Sequence, residues 1–343
     1  MCVPCPRPLP FFSPAAYNVP MLSRPVLVTG AAGFLGSHLC EALLARGLPV
    51  VGLDNFDPYY DPRLKERNTQ AVNATAERLG ASFRLVTGDI RDAALLASLF
   101  AEPAPSAVFH LAARPGVLPS LRDPAACAEV NVLGTVAVLE AARRSGSPRV
   151  ILASSSSVYG ASPAAAFRED DPPAPLSPYG ASKLAAEEYC RMFSALHGLP
   201  VVCLRLFTAY GPRQRPDLAI HKFTRMLLAG EPLPRFGDGE SSRDYTYVDD
   251  IIRGFLAALE GEVVGETLNL GGGRPVTLNA LIAALEAACG RAAIIEELPA
   301  PPGEMPRTQA DATKAGRLLG WQPEVTLEEG LARFLAWWRA ALP

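Results

Sequence analysis

The sequence predicts an α/β fold, a Rossmann-type doubly wound parallel sheet followed by a smaller C-terminal α/β domain, and two observations lead to it. Through residues 25–206, short runs rich in Val, Leu and Ile alternate with longer amphipathic segments. Such alternation is typical of parallel strands covered by helices on both faces. After about residue 207 the alternation gives way to turn-rich segments. We therefore expect one domain over 25–206 and a second, smaller domain over 207–343, made largely of substrate-contacting loops.

Each strand of the first domain is expected from an apolar run, and each helix from the amphipathic segment that follows it. The strands are predicted at 25–29, 50–54, 83–86, 107–110, 150–153 and 201–205. The helices between them are predicted over 30–46, 63–79, 92–100, 123–145 and 178–197. In the second domain, helices are predicted over 217–229, 248–260, 277–289 and 326–341. Ligands of such sheets bind at the carboxyl ends of the strands.

Composition limits the function classes. A chain of 343 residues with 49% hydrophobic and 20% charged residues can bury a sizeable core. A net charge of −3 gives no reason to expect a nucleic-acid or membrane partner. The four histidines are not spaced as metal ligands, so no metal site is predicted.

The N-terminal segment 1–24 is expected to be an unstructured extension. Six of its first twenty residues are proline, and no basic segment leads into an unbroken apolar run, as a secretory signal would require. Cys2 and Cys5 have the spacing of a metal or redox pair, but no second pair accompanies them. The remaining cysteines lie in apolar segments, so we expect reduced thiols and a cytoplasmic protein.

A glycine-rich turn marks a dinucleotide site. Gly30, Gly33 and Gly36 lie between the first strand and its helix, where they permit a tight turn and close backbone approach to a pyrophosphate. Asp54 ends the second strand, where a carboxylate accepts the ribose hydroxyls and repels a 2′-phosphate. We therefore expect NAD rather than NADP. Asp89 and Ile90 are expected beside the adenine, and Leu111, Ala112 and Ala113 are expected to leave room for the dinucleotide.

A tyrosine and a lysine form the candidate catalytic pair. Tyr179 and Lys183 are four residues apart at the start of a helix, so they share one face. A free phenol has a pKa of about 10, and a nearby ammonium together with the positive nicotinamide ring favours the phenolate. Tyr179 can then take a proton from a substrate hydroxyl. The serine run 154–157 ends the preceding strand, and one of its hydroxyls can bridge the substrate and Tyr179.

These motifs resemble the extended short-chain dehydrogenase/reductase superfamily over residues 25–340, in particular its NAD-dependent nucleotide-sugar epimerases and dehydratases. The resemblance implies that Ser155, Tyr179 and Lys183 are the catalytic triad. It also implies NAD contacts from Gly30, Gly33, Phe34, Leu35, Gly36, Asp54, Asn55, Asp89, Ile90, Leu111, Ala112, Ala113 and Asn131, as well as from Tyr179 and Lys183. A UDP group would lie on the loops after 207, with Arg243 as diphosphate ligand and Lys222 and Arg235 close by. Helices 123–145 and 178–197 would pair across a homodimer.

The serine run narrows the reaction. Sugar 4,6-dehydratases carry acids where this chain has Ser156 and Ser157, and UDP-glucuronate decarboxylases typically keep a Glu at position 157. Without these carboxylates, elimination lacks its acid–base pair, and 4-epimerisation remains. In epimerisation, C4 is oxidised, the 4-keto sugar rotates, and hydride returns to the opposite face.

Three segments resemble UDP-glucuronate 4-epimerases in particular. They are 53–68, the segment 206–223 with Thr208 where galactose 4-epimerases usually have Asn, and 301–307 with Pro301 in place of their Arg. Thr208, a serine of the run and Arg215 are expected to hold the sugar carboxylate, because charge-assisted hydrogen bonds give strength and direction. A UDP-glucose or UDP-N-acetylglucosamine 4-epimerase, a UDP-glucuronate decarboxylase and a non-catalytic NAD-binding protein remain alternatives.

Overall fold

The computed structural model describes residues 24–101, 103–160, 162–299 and 305–341. The predictions for residues 1–23, including Cys2 and Cys5, and the prediction for Pro301 lie outside the described residues.

The strands and helices of the structure follow the predicted order closely. The strands are β1 Val26–Thr29, β2 Val50–Asp54, β3 Phe83–Thr87, β4 Ala107–His110, β5 Arg149–Ser155, β6 Val201–Leu206, β7 Thr208–Tyr210, β8 Leu233–Phe236, β9 Ser242–Tyr247, β10 Glu266–Leu270, β11 Pro275–Thr277 and β12 Ile295–Leu298. The helices are α1 Phe34–Ala45, α2 Pro62–Leu79, α3 Ala93–Leu99, α4 Val117–Arg122, α5 Pro124–Ala128, α6 Gly134–Arg144, α7 Pro178–His197, α8 Ala219–Ala229, α9 Val248–Glu260, α10 Leu278–Cys289, α11 Thr313–Leu319 and α12 Leu327–Ala341. A π-helical turn, Glu129–Leu133, joins α5 to α6, and a 3₁₀ turn, Ser156–Val158, follows β5.

The central sheet is parallel and has seven strands in the order β10-β6-β5-β4-β1-β2-β3. β1 pairs with β2 on one side and with β4 on the other, so the strand order reverses at β1. The connections on either side of this reversal run in opposite directions, which opens a crevice at the carboxyl ends of β1 and β4. The predicted fold class is confirmed, and the crevice positions the site.

Both faces of the sheet are buried, because the two-residue period of a strand points alternate side chains to opposite faces. Val26 and Val28 of β1 belong to one apolar cluster, and Leu27 belongs to the other. Phe109 and Val108 of β4 divide between the clusters in the same way. This double burial explains the continuous apolar runs in the sequence.

The later part of the chain contributes one strand to the central sheet and also forms two smaller sheets. β10 pairs with β6 and forms one edge of the seven-stranded sheet. β7, β9 and β11 form a second sheet, and β8 pairs with β12. Only Phe207 separates β6 from β7, so the second sheet begins where the central sheet presents its carboxyl ends. The division of the chain at residue 206 stays a prediction.

The helix predicted over 123–145 is interrupted in the structure. Pro124 starts α5, Asp123 caps it by accepting from the Ala126 N–H, and the π-helical turn separates α5 from α6. Counted together with the π-helical turn, the helical run 124–144 is long and apolar enough to cross a membrane by length and composition. In this structure it packs against α7 and α3 of the same chain. It therefore serves as a helix of the layer that covers the sheet.

Candidate active site

A cleft of about 470 Å³ lies at the carboxyl ends of β1 to β6. Its wall is built from the turns after each of these strands together with the start of α7 and the segment after β7. The lining residues that the sequence predicts are Gly30, Gly33, Phe34, Leu35, Gly36, Asp54, Asn55, Asp89, Ile90, Leu111, Ala112, Ala113, Ser155, Ser156, Ser157, Tyr179, Lys183, Thr208 and Arg215.

The glycine turn is a close-packed backbone cradle. Gly30 has φ +72°, and a Cβ placed there would lie 2.9 Å from the Ala112 nitrogen. A Cβ on Gly36 would lie 2.0 Å from the Gly30 carbonyl oxygen. Gly33 precedes α1 without a side-chain cap, which leaves the first N–H groups of a twelve-residue helix open to the cleft. Open N–H groups at a helix N-terminus fit the pyrophosphate of a dinucleotide.

Asp54 is held in place from three directions. One carboxylate oxygen accepts from the Ala32 N–H at 3.1 Å, and the other accepts from the Phe56 N–H at 2.9 Å. The Lys65 ammonium of α2 lies 3.1 Å from the latter oxygen, and both side chains are nearly buried. Lys65 also lines the cleft. The sequence analysis missed Lys65, because an ordinary lysine on a charged helix carries no signal of its own.

Asp89 and Asn55 form the outer edge of the same region. The Asn55 amide donates to Asp89 at 3.1 Å, and Arg91 forms a 2.9 Å ion pair with Asp89. The Arg91 hydrogen bonds lower the pKa of Asp89 to about 2. Asp89 therefore stays ionised at the mouth of the cleft.

Asn131 is not among the residues that line the cleft, and its contact with NAD stays a prediction. Its side chain is buried, its oxygen accepts from the Arg114 N–H at 2.7 Å, and its amide donates to the Arg114 carbonyl at 3.1 Å. The same amide donates to Ser182 of α7 at 2.9 Å. Asn131 therefore ties the lining loop after β4 to α7.

A buried histidine ties this loop to the sheet. The Ala112 N–H donates to the Thr29 hydroxyl at 3.1 Å, and that hydroxyl lies 2.8 Å from His110 Nδ1. His110 Nε2 lies 3.0 Å from the Thr135 hydroxyl, which donates to the Asn131 carbonyl at 2.6 Å. Because the single hydroxyl proton of Thr135 is committed to that carbonyl, His110 carries its proton on Nε2 and accepts from Thr29 on Nδ1. Burial lowers the pKa of His110 to about 3, so the ring is neutral.

The structure brings Ser155, Tyr179 and Lys183 together. The Ser155 hydroxyl forms a hydrogen bond with Tyr179, and it also accepts from the Ser157 N–H at 3.1 Å. The start of α7 packs tightly on the serine run, since a Cβ on Gly180 would lie 2.5 Å from the Ser157 carbonyl oxygen. Tyr179 is therefore placed by both its helix and the turn that it touches.

Burial sets the acidities of the pair. It raises the pKa of Tyr179, and the Ser155 hydrogen bond and the Arg215 charge oppose that rise. Burial also lowers the pKa of Lys183 to about 8. The Lys183 ammonium donates to the Ala153 carbonyl at 2.9 Å. Arg215 is thus a cation that lowers the pKa of Tyr179, and the sequence analysis did not assign that effect to it.

A buried ion pair supports the serine run from behind. Arg205 of β6 binds Glu187 of α7 at 2.8 Å, with side-chain exposures of 6% and 5%. Glu187 also accepts from the Ser154 hydroxyl. The Arg205 guanidinium lies over the Tyr159 ring, 4.7 Å from its centroid, and the Tyr159 hydroxyl donates to Asn269 of β10 at 2.7 Å. The signal for this pair was present in the sequence, because an arginine in an apolar strand needs a buried partner.

Arg215 lies in the segment after β7 and lines the cleft. Its guanidinium forms two hydrogen bonds with Asp217, at 2.9 and 2.7 Å. It lies over the Tyr59 ring, 5.3 Å from the centroid, and the Tyr59 hydroxyl donates to Asp217 at 3.3 Å. Tyr59 and Asp217 were not predicted, because the loop after β2 and the loop after β7 meet only in the folded chain.

Three predicted substrate residues are not among those that line this cleft. Arg235 of β8 forms an ion pair with Glu297 of β12. Arg243 of β9 donates to the Ser242 carbonyl at 2.9 Å. Lys222 lies in the first turn of α8, where its N–H donates to the Leu218 carbonyl. β9 pairs with β7, and this pairing places Arg243 on the strand next to Thr208.

Within 24–101, 103–160, 162–299 and 305–341, no cluster of three His, Cys, Asp or Glu side chains is arranged to hold a metal ion.

Comparisons with known proteins agree on one family. A sequence model of the GDP-mannose 4,6 dehydratase family matches residues 27–334. A UDP-glucuronate 4-epimerase of Thermodesulfobacterium geofontis is 40% identical over 91% of this chain and 95% of its own length. The crystal structure of a Bacillus cereus UDP-glucuronic acid 4-epimerase, in complex with UDP-glucuronic acid and NAD, has a TM-score of 0.86 and 40% identity over 92% of this chain and 99% of its own.

A UDP-glucose 4-epimerase of Thermotoga maritima, solved with UDP-glucose, has a TM-score of 0.84 and 35% identity over 93% of this chain and 100% of its own. The predicted resemblance is confirmed, and the chain belongs to the GDP-mannose 4,6 dehydratase family of short-chain dehydrogenase/reductase-type epimerases and dehydratases.

Proposed function

We propose that this protein is an NAD-dependent UDP-sugar 4-epimerase that interconverts UDP-glucuronate and UDP-galacturonate. The observation that carries the proposal is the cleft wall near Tyr179, to which Ser156, Ser157 and Thr208 contribute hydroxyl-bearing side chains and Arg215 contributes a guanidinium. These groups bind a carboxylate and do not compete with Tyr179 as acids or bases. The relatives named UDP-glucuronate 4-epimerase support the same substrate.

Proton transfer at the sugar C4 oxygen is assigned to Tyr179. Bound NAD⁺ supplies the hydride acceptor and a positive charge beside the phenol. The Ser155 hydroxyl, already hydrogen-bonded to Tyr179, orients the substrate oxygen. Lys183 is held by the Ala153 carbonyl on the helical face that also carries Tyr179, where its ammonium favours the phenolate. If the 4-keto sugar rotates in the cleft, reduction on its opposite face would invert C4, and Tyr179 would return the proton to the C4 oxygen.

The uncharged serine run favours epimerisation over elimination. The carboxylates that line the cleft are Asp54, Asp57 and Asp89, which belong to the turns after β2 and β3. Positions 156 and 157 at the catalytic edge hold hydroxyls. A 4-keto hexuronate loses CO₂ when its carboxylate bond aligns with the carbonyl π system. Arg215 and Thr208 are assigned to hold the carboxylate away from that alignment.

The UDP group is assigned to the elements next to this wall. Arg243 lies on β9, beside β7, and suits a diphosphate because a guanidinium matches phosphate oxygens in bidentate geometry. Lys222 and Arg235 are assigned to the same region of the substrate.

The assignment is tested with purified protein and a panel of UDP-glucuronate, UDP-glucose and UDP-N-acetylglucosamine, with products resolved by NMR. We expect UDP-galacturonate from UDP-glucuronate, and Tyr179→Phe should slow its formation by about 10²–10⁴-fold. Arg215→Ala should reduce turnover of the acidic sugar far more than turnover of a neutral one. Equal losses on both sugars would refute the carboxylate contact, and release of CO₂ with UDP-xylose would identify a decarboxylase instead.

A homodimer is proposed from the exposed face of the helices. Leu118 and Leu121 of α4, Leu133 and Leu196 are 59%, 53%, 61% and 74% exposed. Exposed leucines of this kind are candidates for a surface buried between two copies of the chain. Light scattering on a size-exclusion column should give twice the chain mass of 36.4 kDa, and Leu133→Glu with Leu196→Glu should give the monomer.

A cytoplasmic location is proposed from the cysteines. Cys40, Cys127, Cys190, Cys203 and Cys289 are free thiols in the structure. Free buried thiols are typical of a reducing compartment. Cell fractionation should place the protein with soluble cytoplasmic markers.

A further inference from the structure

A buried cation lies beside the carboxylate that is expected to read the adenosine ribose. Lys65 projects from the first turn of α2, and only 8% of it is exposed. Its ammonium contacts Asp54 at 3.1 Å, and both side chains line the cleft. A lysine is rarely buried without a partner, because burial removes the water that stabilises its charge.

The position of Lys65 is firmly determined by its helix. Asn68, three residues later, donates to the Ala32 carbonyl at 3.0 Å and fixes this face of α2 against the glycine turn. The Tyr60 ring lies on another side of the ammonium, 5.6 Å from its centroid. The ammonium therefore has little freedom to leave the cleft when its partner changes.

The other charges near this point are already paired or point elsewhere. Asp89 is bound by Arg91 at 2.9 Å. Asp57 accepts from the Tyr59 N–H at 2.9 Å. Asp54 is thus the carboxylate that neutralises Lys65, and it keeps two main-chain donors of its own.

We propose that Lys65 and Asp54 together form a masked 2′-phosphate site, in which Lys65 is the phosphate ligand and Asp54 keeps it closed. An ionised Asp54 repels a 2′-phosphate and occupies the ammonium. When a substitution removes the charge of Asp54, the buried Lys65 ammonium is left without an anionic partner. The 2′-phosphate of NADP⁺ is attached to the ribose that Asp54 is expected to contact, so it can take the place of the carboxylate. The preference of this chain for NAD⁺ over NADP⁺ is therefore set by the Asp54 carboxylate, which occupies the Lys65 ammonium that would otherwise bind the 2′-phosphate.

Binding of NAD⁺ and NADP⁺ to the purified full-length protein, freed of bound nucleotide, tests the proposal by isothermal titration calorimetry. Asp54→Asn preserves an oxygen for the Phe56 N–H and removes the charge. We expect its affinity for NADP⁺ to rise about ten- to a hundredfold over the unsubstituted protein, as a charge-assisted hydrogen bond provides. Adenosine 2′,5′-bisphosphate should gain affinity over 5′-AMP in parallel.

The double variant Asp54→Asn with Lys65→Gln should lose this gain. The matched control is Asp54→Asn with Arg67→Gln, which removes an exposed charge from the same helix and should keep the gain. If Asp54→Asn gains no NADP⁺ affinity, or if the gain survives Lys65→Gln, the proposal is refuted.

A second measurement covers the case in which Asp54→Asn does not fold. Lys65→Gln alone leaves Asp54 unneutralised, so NADP⁺ affinity should fall at least about tenfold more than NAD⁺ affinity. Equal losses for the two nucleotides would overturn the proposal. These assays contain no sugar, so their result is independent of the epimerase assignment.

Discussion

The cofactor half and the sugar half of the cleft are built by different means. The cofactor half is mainly backbone, with glycines that leave room for close approach and helix N–H groups that face the cleft. The sugar half is mainly side chains from separate parts of the chain, namely Arg215 with Asp217 and Tyr59, and behind the serine run Arg205 with Glu187. A backbone cradle tolerates almost no substitution at its contact points, whereas paired charges can be replaced in pairs.

The largest effect is expected from a substitution in the glycine turn of the cofactor half. Gly36→Ala would place a Cβ 2.0 Å from the Gly30 carbonyl oxygen, and backbone cannot give way as a flexible side chain does. We expect the free energy of unfolding to fall by about 3 kcal/mol or more, with loss of NAD⁺ binding. Denaturant unfolding and calorimetry measure both.

The control for this change is Gly316→Ala in α11. Its Cβ would lie 3.6 Å from the nearest atom, an ordinary contact, so stability should stay the same or rise by about 0.5–1 kcal/mol. A Gly36→Ala protein as stable as the control would show that the cradle is less rigid than the structure indicates.

The second largest effect is expected from removing the buried ion pair behind the serine run. Glu187→Gln leaves the Arg205 charge buried with a weakened partner, and we expect a loss of about 3–5 kcal/mol in the free energy of unfolding. Glu187→Met with Arg205→Met should recover most of it, because an apolar pair carries no desolvation cost. Chemical denaturation of both variants measures the difference.

An exposed ion pair serves as the control for that effect. Glu140 binds Arg144, whose side chain is 73% exposed, so Glu140→Gln should cost no more than about 1 kcal/mol. If the double Met variant were no more stable than Glu187→Gln, the two charged side chains would stabilise the fold through contacts other than the ion pair between them.

The smallest effect is a shift of a pH profile, measured on UDP-glucose, a neutral sugar that does not use the carboxylate contact assigned to Arg215. Arg215 lowers the pKa of Tyr179, so Arg215→Met should raise that pKa. Because the base acts in its deprotonated form, the ascending limb of kcat against pH should move to higher pH. Arg114→Met is the matched control, since Arg114 also lines the cleft but does not act on the pKa of Tyr179, and its limb should stay in place.

The sequence predicts the cofactor half well because its determinants are local. The predicted strands 50–54 and 107–110 and the predicted helix 178–197 have the bounds that the structure shows. The three glycines and Asp54 are likewise found on one wall of the cleft. Within a strand and the turn that follows it, spacing alone determines which groups meet.

Side-chain contacts in both halves are predicted less completely, because they join segments that are separated along the chain. Lys65 meets Asp54 eleven residues away, and Tyr59 meets Asp217 across 158 residues. The side chain of Asn131 is likewise bound by main-chain groups of Arg114, seventeen residues away in the chain. Periodicity and motifs do not show which side chains of separated segments come into contact.

The hydrogen bonds that run from Ala112 through Thr29, His110 and Thr135 to Asn131 restrict the motion of the loop after β4. Every proton from the Ala112 N–H to the Asn131 carbonyl has one assigned acceptor, and His110 stays neutral because its pKa is held at about 3. The Ala112 amide should therefore exchange with deuterium as slowly as the amides of β1 and β4, although it lies beyond the end of its strand. Acidification to pH 5 should leave that protection unchanged, since no proton enters the ring, and the floor of the cleft behaves as a continuation of the sheet.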